Sequence, residues 1–214
     1  MKTNMNYWED TLHNLPESYK KRFEEEKKYL LDVLTTDATV LEVWCGDGRS
    51  IFDMVPKTHN ITWIDHDMVA INKAKEKFSD NKKISLIYAD ATAIPFSNDT
   101  FDFVVCMTTF ANFADKKIAI LKEMKRVLKH WGKIILSVFS EDALEERMKL
   151  YKDVGVKIDH VDNGKVVFDK NLWAHISEQF SREELIDIFK QVHLHVTGIQ
   201  KVDIAYLCTV EKNT

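Results

Sequence analysis

Three acidic residues interrupt or close apolar, strand-like runs in the first half of the chain. Glu42 lies inside the first run, Asp65 closes the second, and Asp90 closes the third. A carboxylate after a second strand can accept hydrogen bonds from both hydroxyls of a ribose, and one after a third can bond an exocyclic amine. Because parallel strands share their carboxyl edge, these acids predict a nucleoside site at that edge.

A glycine turn follows the first of these runs. The segment Trp44-Cys45-Gly46-Asp47-Gly48 separates the strand from an apolar stretch at 51–55 that can form a helix. Glycines let the backbone approach a ligand, and the free N–H groups at a helix start point towards it. The spacing departs from the dinucleotide fingerprint G-x-G-x-x-G, so an ordinary turn between a strand and a helix remains an alternative.

The composition is that of a globular chain with a sizeable core. The 214 residues are 45% hydrophobic and 30% charged, with a formal net charge of -4 and no basic stripe of the kind that binds nucleic acid. Cys45, Cys106 and Cys208 are odd in number and lie in apolar runs, which favours buried thiols over disulfides or a metal site. No run has the length of a membrane helix or a signal peptide, so we expect a cytoplasmic protein.

The elements that must position the acids alternate between strands and helices. The strands that we predict are 40–43, 61–65, 84–89, 101–107 and 133–139. Helices are predicted at 15–35, 51–55, from Asp67 onward and at 115–130. We expect the charges between Lys20 and Lys28 to lie on the solvated side of the first helix. This alternation argues for a parallel sheet with right-handed crossovers.

The pattern changes after residue 140. A charged helix is predicted at 141–151, and Asn163-Gly164 between two apolar runs is the strongest short signal for a β-hairpin. Ser181 and Glu184 form a capping box that begins the last helix. Two closing strands at 195–200 and 204–210 are joined by a link so short that they must pair antiparallel.

Several segments together resemble the class I S-adenosylmethionine-dependent methyltransferases of the small-molecule type. The resemblance covers roughly residues 35 to 211 and rests on Val40-Leu41-Glu42-Val43-Trp44-Cys45-Gly46-Asp47-Gly48, Ile64-Asp65-His66-Asp67-Met68, Ala89-Asp90-Ala91-Thr92-Ala93-Ile94-Pro95-Phe96, 98–102, 120–136 and 180–185. It implies an α/β, Rossmann-like, doubly wound sheet of seven strands in the order 3-2-1-4-5-7-6, with strand seven antiparallel and a β-hairpin insertion.

The resemblance also implies which residues bind the cofactor, S-adenosylmethionine. Glu42 would steady the methionine amino end above the turn, Asp65 would take the ribose hydroxyls, and Asp90 would read the adenine edge. The complete set of expected cofactor residues is Glu42, Trp44, Cys45, Gly46, Asp47, Gly48, Asp65, His66, Met68, Asp90, Ala91 and Met107. We expect Met68 to pack on the adenine and the Ala91 N–H to assist Asp90.

Trp44 departs from the family pattern, because it occupies the place of the first glycine of the turn. The favoured interpretation is that its indole turns away into the sheet and leaves binding intact. The ring could instead fill room that the cofactor needs, or it could stack on the sulfonium cation.

Methyl transfer from a sulfonium is an in-line displacement that needs mainly positioning and exclusion of water. The sequence therefore need not contain a catalytic residue, and His175 is only a weak candidate for a general base, with a surface or packed role as the alternative. Aromatic residues that could line an acceptor pocket, or simply belong to the core, are Tyr7, Trp8, Phe110, Phe113 and Trp173.

We expect one domain, 1–214, divided into a helical cap (1–36), a cofactor-binding core (37–140), an insertion or lid with the hairpin (141–180) and a final helix with two strands (181–214). The expected partner is a small-molecule acceptor. Two other functions remain open, a catalytically inactive binding module and an NAD(P)-dependent oxidoreductase. The latter is disfavoured by the glycine spacing and by the absence of a Tyr-x-x-x-Lys pair.

Overall fold

Ten strands and six helices make up the computed structural model, which describes residues 15–44, 48–58, 60–169 and 175–213. The strands are β1 (Thr39–Val43), β2 (Asn60–Asp65), β3 (Ile84–Tyr88), β4 (Phe101–Met107), β5 (Leu128–Phe139), β6 (Ile158–Asp162), β7 (Lys165–Phe168), β8 (Ile176–Ser177), β9 (Leu194–Val202) and β10 (Ala205–Lys212). The helices are α1 (Glu17–Val33), α2 (Arg49–Met54), α3 (Met68–Lys77), α4 (Lys117–Val127), α5 (Leu144–Asp153) and α6 (Arg182–Gln191). Two short 3-10 turns, Thr109–Asn112 and Ala114–Lys116, follow β4.

A seven-stranded sheet in the order β3-β2-β1-β4-β5-β10-β9 forms the centre of the fold. β1 pairs in parallel with β2 and β4, whereas β10 is antiparallel to both β5 and β9. The predicted fold class and strand order are therefore confirmed. β6, β7 and β8 form a separate three-stranded sheet.

Neighbouring strand residues fill opposite faces of the central sheet. Leu41 and Val104 pack on one face with residues of α4 and α6, and Val40 and Val105 pack on the other with residues of α1, α2 and α3. Helices thus cover both faces, which leaves the strand ends as the places where polar side chains can meet a ligand.

Local turn chemistry follows the sequence closely. Asn163 and Gly164 both have positive φ, 45° and 79°, as the predicted two-residue hairpin turn between β6 and β7 requires. Ser181 and Glu184 form the predicted capping box, and the Asp67 carboxylate caps α3 by accepting a hydrogen bond from the Val69 N–H.

Two sequence expectations about the elements were wrong. α4 ends at Val127 and β5 begins at Leu128, several residues before the predicted strand, because Leu128 already pairs with Phe101 of β4. Arg22 and Glu26 are completely buried, although the charges of α1 were expected on its solvated side. They can be buried because they bond each other.

No helix in the described ranges is both long enough and apolar enough to cross a membrane.

Candidate active site at the carboxyl edge of the sheet

Glu42 is fully buried near the end of β1 and links that strand to α2. Its Oε1 accepts a hydrogen bond from the Ser50 hydroxyl in the first turn of α2. Cys45, Gly46 and Asp47 lie outside the described residues. Gly48 directly precedes α2 with φ 80°, and a Cβ there would lie 2.9 Å from a ring carbon of Phe78. Glycine is therefore required at this position both by its backbone conformation and by the close packing.

Asp65 is held at the end of β2 by a short turn. Its Oδ1 accepts a hydrogen bond of 2.8 Å from the Asp67 N–H and lies 3.4 Å from Nδ1 of His66. The Asp65 side chain is almost completely buried at the strand end. The sequence predicted that a carboxylate at this position, at the end of the second strand, would bind the ribose.

Asp90 closes the third strand, and its charge is fixed by the loop that follows. Oδ1 accepts hydrogen bonds from the Thr92 N–H at 2.8 Å and from the Thr92 hydroxyl at 2.9 Å. The bond from the backbone N–H lowers the pKa of the Asp90 carboxyl, which outweighs the opposing effect of burial. Asp90 is therefore a carboxylate at neutral pH, exposed beside the buried Ala91.

The two methionines of the expected site differ in exposure. Met68 begins α3 directly after Asp65 and Asp67, and 47% of it is exposed. Met107 ends β4 and is buried. An exposed apolar side chain beside the Asp65 carboxylate has the chemistry to pack on a flat ring whose sugar is bound by that carboxylate.

The Trp44 ring belongs to the hydrophobic core cluster at the carboxyl end of β1. It is 8% exposed, stacks on His66 with the ring centres 4.1 Å apart, and meets the Phe113 ring edge-on at 4.9 Å. Its burial agrees with a ring turned away from solvent, whereas its contact with His66 brings it beside Asp65. A Trp44→Gly substitution distinguishes the three alternatives for this ring.

The backbone at Trp44 keeps a conformation that suits glycine. Its φ is 55°, which is an outlier for a bulky residue. The N–H donates to the Ile64 carbonyl at 3.0 Å, and the carbonyl accepts from the Thr109 hydroxyl. These bonds connect the residue after β1 to the end of β2 and to the segment after β4.

The weak candidate base, His175, lies in the insertion, directly before β8. The His175 side chain is exposed, and its carbonyl accepts a hydrogen bond of 2.8 Å from the Phe168 N–H. Phe110 and Phe113 are buried in the core. Tyr7, Trp8 and Trp173 lie outside the described residues.

The insertion with the hairpin is attached to the same edge of the sheet. The Asn112 side-chain amide, after β4, donates to the Ile176 carbonyl of β8 at 2.7 Å. The Glu178 N–H donates to the Ala111 carbonyl at 2.9 Å. The three-stranded sheet therefore lies beside the ends of β4 and β5.

Sequence reasoning missed a buried polar network between α1, β5 and α2. Arg22 Nε lies 2.8 Å from Glu26 Oε1, and Arg22 Nη2 donates to the Ser137 hydroxyl at 2.7 Å. The other Glu26 oxygen binds Arg49 Nη2 at 2.6 Å. The i,i+4 spacing of Arg22 and Glu26 signals an ion pair, but nothing in the local pattern signals its burial.

Sequence comparison finds that the core of the chain is similar to a known family. Residues 40–132 match the family described as methyltransferase domain. The chain is 30% identical over 146 residues to a demethylmenaquinone methyltransferase of Staphylococcus aureus, an alignment covering 66% of the chain and 60% of the relative. The chain thus spans less than two thirds of the length of that relative.

Solved structures share the fold over nearly the whole chain. A Pyrococcus horikoshii protein superposes with a TM-score of 0.73 at 22% identity, covering 99% of this chain and 94% of that one. A Burkholderia thailandensis 1,6-didemethyltoxoflavin-N1-methyltransferase, solved with 1,6-didemethyltoxoflavin and S-adenosylhomocysteine, superposes with a TM-score of 0.69 at 15% identity, covering 98% and 87%. Residues 40–132 thus match a methyltransferase domain, and the central sheet has the strand order that the resemblance to the class I S-adenosylmethionine-dependent methyltransferases implied.

Proposed function

We propose that this chain transfers a methyl group from S-adenosylmethionine to a small-molecule acceptor. The observation that carries the proposal is the position of three carboxylates, Glu42, Asp65 and Asp90, at the carboxyl ends of three adjacent strands. Two of them, Asp65 and Asp90, are oriented by their own loops before any ligand binds. Preorganised acceptors of this kind suit the hydroxyls and amines of a nucleoside.

Each residue of the edge has a defined task in this proposal. Asp65 binds the ribose hydroxyls, Met68 covers one face of the adenine, and Asp90 with the Ala91 N–H binds the adenine edge. Glu42 links β1 to α2 through Ser50 and supplies negative charge near the methionine amino group. S-adenosylmethionine supplies a methyl group on a positively charged sulfur that is already an activated leaving group.

The acceptor side of the reaction is assigned to the insertion, 141–180, and the cap, 1–36, of a single domain. The insertion is bonded to the segment after β4, so it can cover an acceptor held against the methyl group. A sulfur or neutral nitrogen nucleophile needs little proton transfer, and positioning with exclusion of water then provides the rate enhancement. A small-molecule acceptor agrees with the Burkholderia neighbour, whose own ligand is 1,6-didemethyltoxoflavin.

Trp44 supports a second candidate function, a binding module without methyl transfer. Its ring contacts His66, the residue after the proposed ribose carboxylate, and its φ of 55° is kept despite the bulky side chain. A ring that permanently fills the cofactor room would leave the domain to bind a partner instead.

Calorimetric titration separates these functions. The proposal predicts saturable binding of S-adenosylmethionine and of S-adenosylhomocysteine, with no binding of NAD. Absence of binding by both sulfur compounds in folded protein would favour the inactive module, and binding of NAD alone would favour an oxidoreductase.

The part of the insertion that includes the hairpin provides a second test of the proposal. Deletion of 152–175 should spare cofactor binding, measured by the same titration, and abolish or broaden the use of acceptors. If the deletion unfolds the domain, the hairpin is structural and the acceptor pocket lies elsewhere.

A further inference from the structure

Two buried arginines lie against one phenyl ring at the carboxyl end of β5. The guanidinium carbon of Arg22 is 4.5 Å from the centre of the Phe139 ring, and that of Arg147 is 4.9 Å from it. The Tyr19 ring contacts the same phenyl ring edge-on at 5.9 Å. Arg22, Arg147 and Tyr19 have at most 1% of their surface exposed. We call these three residues the β5 cluster.

Each member of the β5 cluster has a buried polar atom without a hydrogen-bond partner in the described ranges. These atoms are Arg22 Nη1, Arg147 Nε and the Tyr19 hydroxyl oxygen. A buried donor without an acceptor is costly, and native proteins contain few of them. Three such donors around one ring indicate that an acceptor group belongs there.

The charges of the β5 cluster are also unbalanced. Arg147 makes no ion pair with any residue in the described ranges, and its hydrogen bonds go to neutral acceptors. These acceptors are the Gly164 and Ser177 carbonyls, the Ser177 hydroxyl and the Gln179 side chain. Glu26 is divided between Arg22 and Arg49. A buried cation without an anion carries a large desolvation cost that a bound anion would offset.

Tyr19 remains a donor at every physiological pH. Burial raises the pKa of its phenol well above the usual value, and the nearby charges of Arg22 and Arg147 reverse only part of that shift. The hydroxyl therefore keeps its proton and can donate it in a hydrogen bond to an anionic oxygen.

The β5 cluster is next to the proposed methyl-transfer site. Ser137, which binds Arg22, pairs with Met107 at the end of β4. Phe139 follows two residues later on β5. Arg147, on α5 of the insertion, packs on Phe139 and donates a hydrogen bond to the Gly164 carbonyl at the hairpin turn. An acceptor held by the cluster would therefore lie between the insertion and the end of β4.

We propose that Arg22, Arg147 and Tyr19 bind a carboxylate or phosphate group of the methyl acceptor, which is thus an anionic small molecule. This inference rests on the proposed methyl transfer. Arginine forks match such groups geometrically, and the phenol adds a third donor. All three donor atoms are covered in this structure, so the insertion must open before the anion enters.

The test is calorimetric titration of the full chain, saturated with S-adenosylhomocysteine, with three probes. Benzoate and inorganic phosphate represent the two possible anionic groups, and benzamide is the neutral match for benzoate. We expect at least one anion to bind and benzamide not to bind. A preference for benzoate assigns a carboxylate, and a preference for phosphate assigns a phosphate.

Variants locate the binding. Arg147→Met should weaken the binding of the anion roughly 10- to 100-fold, as expected for loss of a charged hydrogen-bond partner. Lys149→Met, on the exposed side of the same helix, is the matched control and should bind as the wild type does. If Arg147→Met does not fold, Tyr19→Phe decides, since it removes one oxygen and should weaken binding about 5- to 10-fold.

Three results would overturn the inference while leaving the proposed function intact. They are binding of S-adenosylhomocysteine without binding of either anion, equal binding of benzamide and benzoate, and unchanged anion affinity in the β5 cluster variants. Failure to bind S-adenosylhomocysteine would instead count against the proposed function. In that case, the anion titration is carried out on the cofactor-free protein, with the same variants.

Discussion

The β1–β3 side and the β5 side of the carboxyl edge hold their charged groups in different ways. Near the ends of β1, β2 and β3, the carboxylates of Glu42, Asp65 and Asp90 bond residues eight, two and two positions away. On the β5 side, Arg22 bonds a residue 115 positions away and Arg147 one that is 30 away. The acids thus belong to local turns, whereas the arginines hold distant elements together.

This difference predicts different consequences of substitution. Removing a carboxylate beside a turn should mainly weaken the binding of a ligand, since few other elements depend on it. Removing a partner from the buried network should mainly lower the free energy of unfolding, because it leaves a charge in the interior.

The largest effect is expected for Glu26→Ala. The substitution leaves the fully buried Arg22 guanidinium without its carboxylate and should lower the free energy of unfolding by about 3–5 kcal/mol. Urea unfolding measures this change in stability. The control is Glu24→Ala, on the exposed side of α1, which should change stability by less than about 0.5 kcal/mol. Equal effects of the two substitutions would remove the distinction between the two sides of the edge.

The next effect concerns Trp44→Gly. Loss of the buried ring should lower the free energy of unfolding by roughly 3–5 kcal/mol. Glycine adopts the positive φ without strain, which should raise it again by about 1 kcal/mol. We therefore expect a net loss of about 2–4 kcal/mol with nearly unchanged affinity for S-adenosylmethionine. Urea unfolding and calorimetry check the two parts, with the exposed Trp131→Ala as the control.

Other outcomes at Trp44 would identify its role differently. Tighter cofactor binding in a stable Trp44→Gly protein means that the ring fills the cofactor room and favours the inactive module. Weaker binding with stability nearly kept means that the ring stacks on the cofactor.

A smaller effect, on binding alone, is expected for Asp65→Ala. Loss of charge-assisted hydrogen bonds to the ribose should weaken S-adenosylmethionine binding by about 1.5–3 kcal/mol. Asp80→Ala, which removes an exposed acid beyond the other end of α3, should bind as the wild type does. Unchanged affinity in a folded Asp65→Ala protein would exclude Asp65 from the site.

The smallest effect is a pH dependence at the opposite, amino edge of the sheet. Burial opposes ionisation of Asp102, but hydrogen bonds from Lys129 and Thr39 outweigh it and lower the pKa of the carboxyl to about 2. A depressed pKa gives stability that is present above about pH 4 and is lost as the pH falls to about 2.

Asp102→Asn tests that pH dependence. The carboxylate is partly exposed, so we expect a contribution of about 1 kcal/mol after solvent screening. The stability of the variant, measured by urea unfolding between pH 4 and 2, should fall less steeply than that of the wild type. Parallel curves would exclude Asp102 as the cause.

Local sequence signals were sufficient to predict most of the strands and helices and the positions of the acids at the strand ends. The strand order follows from the family resemblance, and the Asn163-Gly164 turn and the Asp67 cap depend on residues only a few positions apart. Such contacts form within a segment, so a pattern in one sequence can indicate them.

The β5 side was not predictable because its contacts join distant segments. The charges of α1 look like an ordinary solvated helix face until Ser137 and Arg49 are brought to Glu26 by the fold. The contacts of Trp44 with His66 and Phe113 likewise depend on three different strand ends. Burial of a charge or a large ring at such a place depends on tertiary packing, which no short pattern contains.

The most direct test of the central claim is to map amide chemical shifts while the protein is titrated with S-adenosylhomocysteine. If the cofactor binds at the carboxyl ends of β1, β2 and β3, the largest changes will occur at Gly48, His66, Met68 and Ala91. The amides of Trp131 and His193, far from that edge in the sheet, will remain unchanged. Saturable binding with no shift at the carboxyl edge, or with its largest shifts elsewhere, would contradict the claim.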